Sequence, residues 1–148
     1  MSDTTQAPFT LEDGLNLALY DWPLPMRWRP RGVVLIVHGL GEHAWRYDTL
    51  AQRLNERGFA VRAYDQRGHG DSGGAPGALP DEDAVVDDLF EGVEDTRRHI
   101  ADRWDCPLIL LGNGTGLAGL RTSRLPVAST SVARPRACAT RRGTWARA

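Results

Sequence analysis

Residues Val33-Val34-Leu35-Ile36-Val37 form an unbroken apolar, mostly β-branched run. Such a run is too apolar for an edge and suits a strand buried on both faces. A glycine-rich stretch follows, and from Trp45 to Arg57 the apolar residues Tyr47, Leu50, Ala51 and Leu54 recur at i, i+3, i+4, i+7. Gly58 closes that segment as a C′ glycine. Phe59–Asp65 reads as a second strand and residues 66–80 as a Gly/Pro-rich loop. Asp81 or Asp83 is expected to cap a long helix to about Trp104, with Val86, Leu89, Phe90, Val93 and Ile100 on one stripe. Pro107 ends it, and Leu108–Leu111 is a third buried strand. Upstream, Phe9-Thr10-Leu11 and Leu15–Tyr20 flank the turn signal Asp13-Gly14 of a hairpin. Strands alternating with helices of this length predict the α/β class, a mostly parallel sheet flanked by helices.

At 148 residues the length fits one domain. Charge is unevenly spread. Residues 1–112 hold eleven Arg and all nineteen acidic residues, a net of −8; residues 113–148 hold seven Arg and no acid, a net of +7. Lys is absent, as in coding sequences biased toward GC-rich codons. Cys106 and Cys138 give neither a disulfide framework nor metal-ligand spacing. The start, Met-Ser-Asp-Thr-Thr-Gln, lacks the basic and apolar regions of a signal peptide. No apolar run reaches membrane-spanning length, so a cytoplasmic protein is expected.

His38-Gly39-Leu40-Gly41-Glu42-His43 lies directly after the first buried strand, where a glycine-rich turn lets backbone N–H groups face a pocket. With Trp45-Arg46-Tyr47, the loop Asp65-Gln66-Arg67-Gly68-His69-Gly70-Asp71-Ser72 and Pro107–Gly112, this stretch resembles the monoacylglycerol lipase and lysophospholipase type of α/β-hydrolase. The resemblance covers residues 32–112. It implies an α/β-hydrolase fold, here truncated after the third parallel strand, and ester hydrolysis through an acyl-serine without metal or cofactor. It further implies a lipid or small-ester substrate and no nucleic acid, and it leaves the oligomeric state open. Leu40 matches the residue whose backbone N–H donates to the oxyanion, and Thr115 the second donor. His38, Gly39, Gly41, Glu42 and His43 would shape the pocket loop. Glu42 and Arg46, four apart, would pair on a short helix. Asp65 and His69 read as residues that brace their loop.

One position breaks the pattern. Leu108–Leu111 runs into Gly112-Asn113-Gly114-Thr115-Gly116, the frame of a G-x-S-x-G elbow with Gly114 where the nucleophile belongs. In this type the acid and then the histidine follow the serine, but the last histidine here is His99 and the last acid Asp105. The catalytic set is therefore not intact, and the expectation is an inactive amino-terminal part, residues 1–116. Residues 117–148, with 25 Arg, Ala, Ser, Thr, Pro or Gly in 32 positions, read as a disordered or out-of-frame tail. A genuine basic tail for nucleic acid or a membrane surface is the alternative reading of that segment. For the whole chain the alternatives are a non-catalytic binding module and a nucleotide-binding unit. The second would use Gly114–Gly119, a literal G-x-G-x-x-G lacking the acid a dinucleotide site wants about 20 residues on. Gly70-Asp71-Ser72-Gly73-Gly74 also matches an elbow literally, but Pro76 and Pro80 follow where an elbow needs a helix.

Overall fold

The computed structural model describes residues 4–78, 81 and 83–114. Five strands form one sheet: β1 Thr5–Thr10, β2 Asn16–Trp22, β3 Gly32–Val37, β4 Phe59–Tyr64 and β5 Leu108–Gly112, in the order β1-β2-β4-β3-β5. β1 and β2 are the expected hairpin, paired from Thr5–Asp21 to Thr10–Asn16. β2 runs antiparallel to β4, whereas β4, β3 and β5 are mutually parallel. The sheet is thus mixed, with its parallel part at the three expected strands; β3 and β4 are buried as expected, whereas β5, at the edge, is half-buried throughout because no strand covers its outer side among the described residues. This mixed sheet, with a helix on each face, agrees with the α/β-hydrolase architecture expected from the sequence.

β3 lies between β4 and β5, and all six of its residues are buried. Alternation sorts its neighbours onto two faces. Leu17, Leu19, Leu35, Val37 and Tyr64 pack with Leu89 and Val93 of helix α2 (Ala84–Thr96). Ala18, Trp22, Val34, Ile36 and Val61 pack on the other face with Ala44 and Ala51. Ala51 belongs to helix α1, Asp48–Glu56, which follows a 3₁₀ turn at Ala44–Tyr47. Gly58 ends α1 in the left-handed region at φ +86°, as a C′ glycine should.

Helix α2 departs from expectation in three ways. Phe90 is exposed; the face turned to the sheet is Ala84, Asp88, Leu89, Gly92, Val93 and Thr96. Small residues let the helix approach closely, and a Cβ on Gly92 would stand 3.3 Å from the Tyr64 ring. Neither Asp81 nor Asp83 caps the helix. Asp83 occupies the N-cap position without a side-chain bond, and the Asp81 carboxylate accepts the Asp83 N–H at 2.9 Å instead. Finally, the helix does not run evenly to Trp104: it widens into a π-helical turn at Arg97–Ala101 before a last turn, α3, Asp102–Trp104. Just before the widening, the Thr96 hydroxyl donates back to Gly92 O at 2.7 Å, the kind of back-bond that bends helices.

Arg62, on β4, points into the α2 face. It bonds both Asp21 carboxylate oxygens (2.7 and 3.0 Å) and Asp95 of α2 (2.7 Å), joining β2, β4 and α2. No helix among the described residues is long and apolar enough to cross a membrane.

Candidate functional site

Parallel strands deliver their loops to one end, and three loops meet at the carboxyl ends of β3, β4 and β5. The chain leaves β3 through His38, whose ring is fully buried. Its Nε2 accepts the Gln66 N–H at 2.9 Å, so Nδ1 carries the proton and donates to Gly39 O at 2.8 Å. Burial pushes the imidazole below its usual value. A neutral ring with both nitrogens engaged is a brace between two loops and has no lone pair left for a substrate proton.

Glu42 organises the turn that follows. The Gly39 N–H donates to its carboxylate (3.0 Å), while the Glu42 N–H donates back to Gly39 O (3.2 Å). The same carboxylate oxygen accepts from the Tyr47 hydroxyl (2.7 Å) and from the Asn113 side-chain amide (3.2 Å). One charged group thereby ties the loop after β3 to the turn after β5. These donors, the Gly39 N–H foremost, hold the Glu42 carboxyl below its ordinary value of 4.5. The expected Glu42–Arg46 pair contributes little, because Arg46 is exposed and stands 4.0 Å away. Sequence spacing contained a better signal: an acid three residues after Gly39 can reach back to its N–H as a capping-box residue does.

Leu40 sits at the crest of this turn with its side chain 72% exposed. Among the described residues no acceptor takes its backbone N–H. Gly114 lies beside it in the left-handed region at φ +55°. A Cβ built there would be 3.5 Å from Gly39 Cα and 3.9 Å from Leu40 N. A side chain at position 114 would accordingly stand beside the Gly39–Leu40 turn. Thr115, and with it most of Gly114–Gly119 and all of 117–148, lies outside the described residues.

The loop after β4 braces the other two. Asp65, buried, accepts the Ala44 N–H (2.6 Å), the Asp71 N–H (2.9 Å) and the Tyr20 hydroxyl (3.2 Å). A Cβ on Gly70 would fall 2.0 Å from its carboxylate, so only glycine fits. Arg67 grips Asp88 of α2 through two bonds (2.7 and 2.6 Å) and Asp13 of the hairpin through one (2.9 Å). Ser72 is equally committed: its hydroxyl donates to Asp65 O and accepts the Ala18 N–H at 2.8 Å. The literal elbow at Gly70–Gly74 is a structural turn. His69 lies against the His38 ring at 5.3 Å with its Nδ1 3.1 Å from Arg67 O, a bracing position as expected. His43 is exposed at the start of the 3₁₀ turn and caps nothing; Gly41 turns the chain at φ +71°. His99 is exposed and rests on Asp95. A hollow of about 600 Å³ beside Tyr20, Trp45 and Asp71 includes His43 of the loop after β3 in its wall but neither Leu40 nor Gly114.

The family model "Serine aminopeptidase, S33" matches residues 28–122. A monoacylglycerol lipase of Mycolicibacterium smegmatis is 44% identical over 91 residues, covering 59% of this chain and 30% of that one. A thermostable carboxyl esterase from Bacillus coagulans superimposes with a TM-score of 0.68 at 28% identity, over 82% of this chain and 39% of the esterase. A soluble variant of the Saccharomyces cerevisiae monoglyceride lipase, in complex with a substrate analog, gives 0.65 at 29% identity, over 76% and 36%. The chain therefore spans less than two fifths of the length of these relatives.

Proposed function

The chain belongs to the serine aminopeptidase S33 family of hydrolases, and from that premise we propose that it carries the oxyanion-loop half of a carboxylic-ester hydrolase site whose nucleophile position is empty. The parent chemistry is acyl transfer from a monoacylglycerol- or lysophospholipid-type ester to a serine, without metal or cofactor. In that chemistry the Leu40 N–H, with Thr115 as the second donor, stabilises charge on the carbonyl oxygen as the tetrahedral intermediate forms. Such donors lower barriers by several kcal/mol in enzymes of this kind. One observation carries the reading. Position 114 has the left-handed backbone and the approach to Leu40 N that a nucleophile elbow needs, and it is occupied by glycine.

Without a hydroxyl at 114 there is nothing to generate the oxyanion, and the polypeptide is hydrolytically silent. The test is twofold. No turnover of monoacylglycerol or short p-nitrophenyl esters above background is expected, and no labelling by a fluorophosphonate probe. Gly114→Ser alone restores the hydroxyl but not turnover in this polypeptide, because residues 115–148 hold no histidine or acid to serve as base and orienting group. Turnover by the unaltered chain, or probe labelling at Ser72, contradicts the proposal. The intact Glu42-held loop favours a second reading, a binding module that retains the pocket. Saturable binding of a monoacylglycerol without hydrolysis would support it.

A further inference from the structure

The opposite pole of the sheet has a different character. The connector from β2 to β3 and the turn into β5 lie at the amino ends of the parallel strands, about a strand length (~20 Å) from the oxyanion loop. Between Asp21 and Glu42 the sequence has no acidic residue but holds Arg27, Arg29 and Arg31, within a stretch 1–112 of net charge −8. The Trp28 N–H closes a turn onto Pro25 O at 2.8 Å. That turn leaves Met26 wholly exposed and Trp28 61% exposed. Arg103 and Trp104 face them across a shallow concavity of about 400 Å³, which Asp105 also lines. The Arg103 guanidinium rests 5.4 Å from the Trp104 ring centroid.

Charge and apolarity meet here without partners. Among the described residues Arg27, Arg29 and Arg103 form no ion pair, whereas Arg62 and Arg67 are each tied to two carboxylates. Exposed Met and Trp in alternation with arginine match the interfacial zone of a bilayer. There tryptophan settles at headgroup depth, apolar tips enter the acyl boundary, and guanidinium groups meet lipid phosphates. A nucleic acid or a soluble phosphate ester would use the arginines but leave Met26 in water. We propose that the Met26–Arg31 turn, together with Arg103 and Trp104, is a docking surface for an anionic lipid bilayer. This inference stands independently of the hydrolase reading, because it uses none of the loops at the carboxyl ends.

Flotation of the full chain with vesicles tests it. The arginine-rich residues 113–148 supply an attraction of their own, so the informative quantity is the change caused by substitutions in the turn. Binding to vesicles of phosphatidylcholine mixed with phosphatidylglycerol should exceed binding to phosphatidylcholine alone. Arg27→Glu/Arg29→Glu should weaken it at least about tenfold, while Arg53→Glu, on the exposed face of α1, should not. Trp28→Ala should reduce the blue shift of tryptophan emission on vesicle binding, and Trp28→Ala/Trp104→Ala should reduce it further, with the circular dichroism of every variant unchanged. Affinity unaltered by the double charge reversal would assign binding to the distal arginines and overturn the proposal. Equal binding to neutral vesicles, or tighter binding to a short oligonucleotide than to anionic vesicles, would overturn it as well.

Discussion

At the scale of single residues, the site depends more on carboxylates than on histidines. Glu42 receives its bonds from an N–H, a hydroxyl and an amide, all of which favour the ionised form. Its pKa is lowered in the folded state, so it contributes stability that is fully present above the ordinary glutamate value and lost as pH falls through the folded one. Glu42→Gln should therefore loosen the loop at neutral pH, and wild type and variant should converge only as pH falls through the lowered folded value. Amide exchange at Gly39, whose N–H donates to the Glu42 carboxylate, reads this directly. A wild-type advantage that persists undiminished into acid would show that the carboxylate's shape, and not its charge, holds the loop. Asp65 makes the same point from burial: three donors converge on it, and each would be costly to leave unpaired.

At the scale of elements, α2 shows what a sequence pattern can and cannot convey. Leu89 and Val93 were legible as core because large apolar residues four apart mark a stripe, but the rest of the buried face is Ala84, Asp88, Gly92 and Thr96. Small and polar residues carry no hydrophobic signal, so the reading filled the stripe with Phe90. The strands were easier, since β3 and β5 announce themselves by continuous apolar runs and β1–β2 by Asp13-Gly14. Leu40 was singled out only through the family resemblance, and Gly114 through the elbow frame Gly112–Gly116. Glu42's bond to Asn113 was not legible, because it joins loops 71 residues apart. The packing of α2 also yields a prediction. Gly92→Ala brings a Cβ to 3.3 Å from Tyr64, a contact the ring can relieve by a small shift, and it gains up to about 1 kcal/mol of helix propensity. That change should be close to neutral. Gly92→Leu wedges the helix off β4 and should cost about 1–3 kcal/mol in denaturant unfolding. A Leu variant as stable as wild type would mean that α2 does not rest on Tyr64.

At the scale of the whole molecule, two features belong together: glycine at position 114 and the acid-free, arginine-rich sequence after it. A shift of reading frame near codon 112 would account for both. Another frame downstream should then encode a serine elbow, an apolar helix, and later an aspartate and a histidine. Stop codons or patternless sequence in the other frames would refute that origin. The sheet itself carries a last consequence. Its two edges, among the described residues, are β1 and β5. β1 is exposed except at Phe9 and interrupted by Pro8, whose missing N–H discourages pairing with another chain. β5 is Leu-Ile-Leu-Leu-Gly, half-buried at every position, with no charge or proline to blunt it. Such an edge is a template for a further strand. The expected behaviour is concentration-dependent association, with amide protection highest in β3 and β4 and growing in β5 as oligomers form. Sedimentation velocity over a concentration series, paired with exchange at Leu108–Leu111, measures both. A monomer that unfolds cooperatively at all concentrations, with β5 already as protected as β3, would show that the edge is covered within the chain.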